Sequence, residues 1–255
     1  MPNVNPSRVR ITLPVLAPLK AHDWSTITQV NKFGRNGDLS AATAEDVTGV
    51  GGTIHWPATA QKFDITSGSA NDDSGGSGAI TVQFYGLDSA YAEQNETVTL
   101  NGTATVQTTN TYLRMFRGIV RTAGAGGQNA GIISATPTSD ATAVIQIGVG
   151  FNQSLFGAYT VPAGKTAYML DYYWGINKAQ SSALEMSLYE RPLAEVFQLK
   201  HIMGGHSNGA SSFEFVFHAP RSIAAKTDIK LHADVSGNNV DVSGGFDLLL
   251  VSDSG

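Results

Sequence analysis

From Lys62 onward, apolar and polar residues alternate in short runs separated by turn formers. KFDIT (62–66), AITVQFYGLD (79–88), NETVTLNG (95–102), ATVQTT (104–109) and TYLRMFRGIVR (111–121) follow one another with Gly, Ser, Asn and Asp between them. Period-two patterning at such spacing predicts the antiparallel strands of a sandwich or barrel. Within ITVQFYG, Ile80, Val82 and Phe84 are expected to share the inward face. A Gly-rich loop, AGAGGQNAG (123–131), precedes IISATPT and ATAVIQIGVG. GAYTV, TAYMLDYYWGIN, ALEMSLYE, VFQLKHIM, SSFEFVFHA, TDIKLHADV and GGFDLLLV then follow. These add about seven strand candidates, many for a single sandwich.

Before Lys62 the pattern is less regular. DWSTITQVNKFGRNGDLS mixes β-branched residues with Gly34 and Gly37, residues 40–47 alone admit a helix, and TIHWP reads as a short strand ended by Pro57. Pro2, Pro6, Pro14 and Pro18 hold the first residues extended and remove backbone donors, so 1–23 reads as an extended N-terminal arm. The apolar run in RITLPVLAPLK is short, broken by proline and without a small-residue cleavage site, unlike a signal peptide. The expected fold is therefore all-β: an arm (1–23), a β-sandwich domain (24–150) and a second, jelly-roll-like β-sandwich domain (151–255). A single elaborated jelly roll drawing strands from both halves is the alternative, since spacing does not show which strands pair.

Composition supports this reading. The 255 residues are 42% hydrophobic, enough for a sizeable core, while charged residues make up 15% and Gly counts 28. A net charge of -5 with no concentrated Lys/Arg window argues against nucleic-acid binding. No window approaches the ~18 apolar residues of a membrane helix, so no membrane partner is expected. Cysteine is absent, which excludes disulfides, thiol chemistry and the common structural zinc sites.

Motifs for chemistry fail on context. Gly164-Lys165-Thr166 would close a phosphate-binding loop, but Tyr159 occupies the first glycine position, Pro162 removes a backbone donor, and a period-two strand follows where a helix is required. The tripeptide reads as a turn with Lys165 solvated, leading into a strand on which Ala167, Met169, Asp171 and Tyr173 alternate with Tyr168, Leu170, Tyr172 and Trp174. SGGSGAI lacks the nucleophile-elbow spacing. Asp72 and Asp73 in ANDDSGGSG offer oxygen ligands for calcium without an EF-hand layout, and the turn reading is preferred. The six histidines form no tight ligand set; His201 and His206 flank IMGG, read as a turn that would bring them together. Glu185, Glu190, Glu195 and Glu214 would serve a polysaccharide hydrolase only if two faced each other across a sheet. Asn95, Asn101 and Asn152 begin glycosylation sequons but read as turn residues. No catalytic residue, cofactor or metal is assigned, and a non-enzymatic protein is expected.

VNKFGRN, AITVQFYGLDSAYAEQNETVTLNGT, YTVPAGKTAYM and KTDIKLHADVSGNNVDVSGGFDLLLV, in this order, resemble virion structural proteins of tailed bacteriophages, most of all capsid decoration or cement proteins. The resemblance spans most of residues 25 to 251. It implies a protein made in the host bacterial cytoplasm and carried on the capsid exterior, often a homotrimer, that binds the major capsid protein and stabilises the shell. In such an assembly Arg8, Arg10, Trp24, Phe33, Arg35, Tyr172 and Trp174 are the interface candidates. The alternative is a tail-associated or receptor-binding module that stacks host glycans on the aromatic strand at 168–174.

Overall fold

The computed structural model describes residues 27–177, 181–208 and 211–253. The arm with Arg8 and Arg10, and Trp24, lie outside the described residues. Among those described there is no helix, and four antiparallel sheets enclose two cores. One sheet runs β1 (Ile27–Leu39), β16 (Val240–Ser252), β11 (Lys165–Asn177), β14 (Ser211–Ile223). Its partner runs β10 (Ala158–Thr160), β15 (Asp228–Val235), β12 (Ser181–Arg191), β13 (Gln198–Asn208), with β2 (Glu45–Asp46) on β15. The core between them is built on Tyr172, Trp174, Met186, Leu188, Leu231, Phe246 and Leu248, each at most 1% exposed. Burying each such side chain contributes roughly 2 kcal/mol.

The other two sheets run β6 (Val106–Gln107), β3 (Phe63–Ser67), β8 (Ile133–Pro137), β9 (Ile145–Ile147) and β5 (Glu93–Thr99), β4 (Ala79–Leu87), β7 (Arg114–Ala123). Their core centres on Phe63, Ile65, Phe84, Tyr112 and Met115. Phe116 packs against both cores and tilts against Tyr159 at 4.8 Å between ring centroids.

Strand pairing does not follow the expected division of 24–150 from 151–255. β1 pairs with β16 from Ile27↔Val251 to Leu39↔Val240, and β2 pairs with β15. From Ile27 the chain thus runs in the second sandwich, leaves after β2 to build the first unit, and returns at β10. Leu39 and Val47 explain the placement, since both are fully buried in the second core. Residues 40–47 form a turn and β2 instead of a helix, and TIHWP is not a strand: Ile54 N-H donates to the buried Asp46 carboxylate.

Two bulges redirect the expected alternation. On β4 the register against β7 shifts between Ala79 and Val82, so Ala79, Val82 and Phe84 are buried and Ile80 is not. On β11 it shifts at Leu170 against both neighbours, so Ala167 and Met169 face the core before the shift and Tyr172, Trp174 and Ile176 after it. One extra residue reverses every following side chain.

Residues 161–164 form a corner between sheets, not a hairpin, because β10 and β11 belong to different sheets. Gly164 has φ +70, where a side chain is strained, and its carbonyl accepts Asp253 N-H. Lys165, expected to be solvated, pairs with Glu93 at 2.8 Å.

Candidate interaction surface

β13 and β14 are the outermost strands of their sheets, stacked at the same edge of the second sandwich. β13 pairs with β12 and β14 with β11, leaving one side of each without a strand among the described residues. At 11 and 13 residues they far exceed the ~5–6 residues of an ordinary strand. Outside His206 and Ser207, an edge of this length presents a row of backbone donors and acceptors without a neighbouring strand, which proteins normally blunt. Pro220, in the bulged part of β14 opposite the Leu170 shift, interrupts that row at one end.

Side chains alternate along this edge. Phe213, Phe215 and Phe217 point inward and pack on the core, half-buried, together with Met203. Trp174 stacks on Phe213 at 4.2 Å, and Phe215 lies 4.1 Å from the His201 ring and 5.1 Å from Phe217. Tyr172 Oη and His201 Nδ1 are 2.6 Å apart. Burial pushes the Tyr172 hydroxyl up to about 12, while burial and the Arg221 charge hold His201 below its ordinary value, so both shifts favour the neutral forms of this hydrogen-bonded pair. Gly205 leaves room for the Trp174 ring, since a Cβ there would lie 2.3 Å from its Cη2.

Outside this aromatic row exposed apolar side chains stand among polar and acidic ones. Among the described residues eight large hydrophobic side chains are exposed; Leu199, Ile202 and Val216 lie on β13 or β14, and Leu193 and Val196 on the connection from β12. Asp171, Asp247 and Glu214 lie beside β14 on the outer face of its sheet. Burial, then Asp247 and Glu214, raise the Asp171 carboxyl to about 6. The remaining exposed hydrophobics, Ile132, Val149 and Phe151, gather near a cleft of about 240 Å³ that Arg35 also lines.

The interface candidates are therefore redistributed. Tyr172 and Trp174 are 0% and 1% exposed within the chain's own core and offer no surface to a partner, because the Leu170 bulge turns them inward. The same burial takes Tyr172 and Trp174 out of the glycan platform expected at 168–174 and leaves Tyr168 and Tyr173, both half-buried, on the outer face. Phe33 and Arg35 share the outward face of β1; Phe33 is half-buried, and Arg35 is 43% exposed. The Arg35 guanidinium is already engaged, with Nε and Nη2 at 2.8 and 2.7 Å from Asp241. The open edge was missed, although one signal for it was present. Val216 places an apolar residue on the solvent face of FEFVF, where alternation calls for a polar one.

Other singled-out residues are placed as follows. Asp72 is fully buried and accepts from Ser67 Oγ at 2.5 Å, Ala79 N at 2.7 Å, and Ala130 N and Gly131 N at 2.8 Å each. Burial opposes its charge, but these donors hold the carboxyl below the usual range. It fastens the loops at 67–78 and 123–131 together and is ringed by donors where calcium requires acceptors. IMGG lies within β13 and is not a turn, and His201 and His206 point to opposite faces of that strand. Glu190 is buried against Arg221 at 2.6 Å, while Glu185 and Glu214 occupy opposite outer faces of the sandwich, so these glutamates form no facing pair.

No family model matches the chain, and no curated protein matches it. Among solved structures, that of the Gx strain of infectious bursal disease virus is similar at a TM-score of 0.24 and 11% identity, covering 95% of this chain and 78% of that one. Particles of T=1 architecture derived from the same virus are similar at a TM-score of 0.24 and 11% identity, covering 89% and 70%. Scores of this size do not define a common strand arrangement.

Proposed function

We propose that the chain is a non-enzymatic structural protein of a phage virion, a cement or decoration protein that binds the major capsid protein on the outer capsid surface and stabilises the shell as a homotrimer. The observation that carries this reading is the β13–β14 edge: two long edge strands, a half-exposed row of phenylalanines, and exposed aliphatic side chains on the outer faces that flank it, Leu199 and Ile202 on one and Val216 on the other. A monomer seldom leaves such a surface uncovered, and obligate interfaces are larger and more apolar than transient ones. The two edge strands belong to stacked sheets, which lie about 10 Å apart, so the cover must span both. A folded second copy of the chain does so, whereas a single added strand covers only one. The phrase-level likeness to phage decoration proteins supplies the virion context.

Light scattering of the purified chain and the temperature at which capsids release DNA with and without it test the proposal together. A trimer that raises the release temperature is expected. A monomer that leaves the capsids unchanged overturns it. Counting copies per virion separates the two virion roles: hundreds fit a decoration protein, a dozen or fewer a tail component.

A further inference from the structure

At the end of the second sandwich that carries the β12–β13 connection, three turns from both units converge on a cavity of about 270 Å³. They are the β4–β5 turn with Tyr91, the β12–β13 connection with Ala194, and the β14–β15 turn with Lys226. These three residues have φ of +64, +63 and +63, and they are three of the five described non-glycine residues with positive φ. The left-handed region costs a residue with a side chain of order 1 kcal/mol relative to glycine. In a chain with 28 glycines, three positions where glycine would be easier carry side chains, and all three line one cavity.

The floor of the cavity is a charged cluster. Asp228, 3% exposed, accepts from Arg114 Nε at 2.9 Å and Nη2 at 3.1 Å, from Arg191 Nε at 2.9 Å and Nη2 at 2.6 Å, and from Thr160 Oγ1 at 2.6 Å. Arg114 also donates through Nη1 to the Pro57 and Leu113 carbonyls, which leaves it almost saturated. Arg191 differs: its side chain is 25% exposed, and Nη1 makes no hydrogen bond among the described residues. The Lys226 ammonium sits 5.5 Å from the Tyr91 ring centroid, and Arg114 and Arg191 lie 5.3 and 5.1 Å from that of Trp56.

Three cations, Arg114, Arg191 and Lys226, thus line the cavity against two carboxylates, Asp228 and Glu195. One positive charge is left over, at a site whose floor is withdrawn from water, where an uncompensated charge is costly. We propose that this cavity binds one carboxylate group, held by the free edge of the Arg191 guanidinium and by the Lys226 ammonium. A planar guanidinium edge matches the two oxygens of a carboxylate. A single excess positive charge balances a monoanion, and the two resident carboxylates repel a phosphate dianion. The volume is at the small end of ligand sites and admits a small acid or one acidic sugar ring, not a chain. The inference is independent of the capsid role.

The test follows the indole N-H resonances of the full-length 15N-labelled protein, with Trp56 assigned through Trp56→Phe. It is titrated at constant ionic strength with acetate, D-glucuronate, inorganic phosphate and neutral D-glucose. A saturable shift of Trp56 but not Trp174 is expected with both carboxylates and none with glucose. Lys226→Met should weaken binding about tenfold without changing the melting temperature, and Arg191→Lys should abolish saturation. Equal affinity for acetate and glucuronate identifies a bare carboxylate as the ligand, and tighter glucuronate binding identifies a sugar acid. The inference is overturned if neither carboxylate saturates, if phosphate binds more tightly than both, if glucose shifts Trp56 equally, or if Lys226→Met binds as the parent does.

Discussion

At one edge of the second sandwich β1 runs 13 residues beside β16, and at the other β14 runs 13 residues beside β11. The β1 edge is sealed by the first unit. Phe156 N-H donates to the Phe33 carbonyl, and Arg117 Nη2 to that of Asn31. Lys32 is buried with its ammonium donating to the Phe116 carbonyl, 5.6 and 5.5 Å from the Phe116 and Phe156 ring centroids. Burial, then Arg117, hold that ammonium well below the ordinary lysine value. The β14 edge has no such cover among the described residues, and its rings remain half-buried. Where β1 meets the first unit, polar atoms are satisfied within the chain, whereas the open edge leaves apolar surface for another molecule. Substitutions on the sealed side should therefore act on folding, and substitutions on the open edge on assembly.

The largest effect is expected where the two units meet, at the floor of the cavity lined by Arg114, Arg191 and Asp228. Asp228→Ala leaves two guanidinium groups with their shared partner removed, one of them only 10% exposed, and should cost about 3–5 kcal/mol in urea unfolding. At the open edge Ile202→Lys, at a side chain 43% exposed, should leave monomer unfolding within about 0.5 kcal/mol of the parent. In sedimentation the same change should weaken self-association about a hundredfold, since an ammonium would be buried in an apolar contact. A fold as damaged by Ile202→Lys as by Asp228→Ala would erase the distinction between the edges. Gly205→Ala tests the boundary between them, because its Cβ would press on a Trp174 ring already stacked on Phe213. Because Phe213 is half-exposed and able to yield, a loss of about 1–2 kcal/mol in thermal unfolding is expected.

Local pattern made much of the strand content legible. KFDIT, AITVQFYGLD and TYLRMFRGIVR became β3, β4 and β7, because alternation is a property of neighbours in sequence. Pairing was not legible, since β1 meets β16 across more than 200 residues and no short stretch encodes a partner that distant. Nor were the bulges: Leu170 resembles any strand residue, yet its extra place decides that Tyr172 and Trp174 are core and not interface. The Arg114–Asp228–Arg191 cluster was invisible for the same reason, as Arg114 and Asp228 stand 114 positions apart. Asp72 was singled out correctly as a turn residue, but its four donors come from both Gly-rich loops, whose convergence only the fold supplies.

The smallest effect concerns the charge carried by the outer face of the sheet beside the open edge. Asp171 is raised to about 6 from an ordinary 3.8 by burial, then by Asp247 and Glu214. Because its folded value lies above its unfolded one, the stability it contributes is present in full below about pH 4 and is lost as pH rises through about 6. Asp171→Asn cannot lose that contribution. Its melting temperature relative to the parent should therefore rise from pH 4 to pH 7. The group is partly solvated and the repulsion is screened, so the gain at pH 7 should be about 2 °C, and smaller in high salt. A difference independent of pH would show that Asp171 does not titrate against its neighbours. In the proposed trimer the comparison would sharpen: if the covering copy brings a cation onto this face, the gain appears only in protein dissociated by Ile202→Lys, and if it covers the apolar row alone, the gain is the same in both.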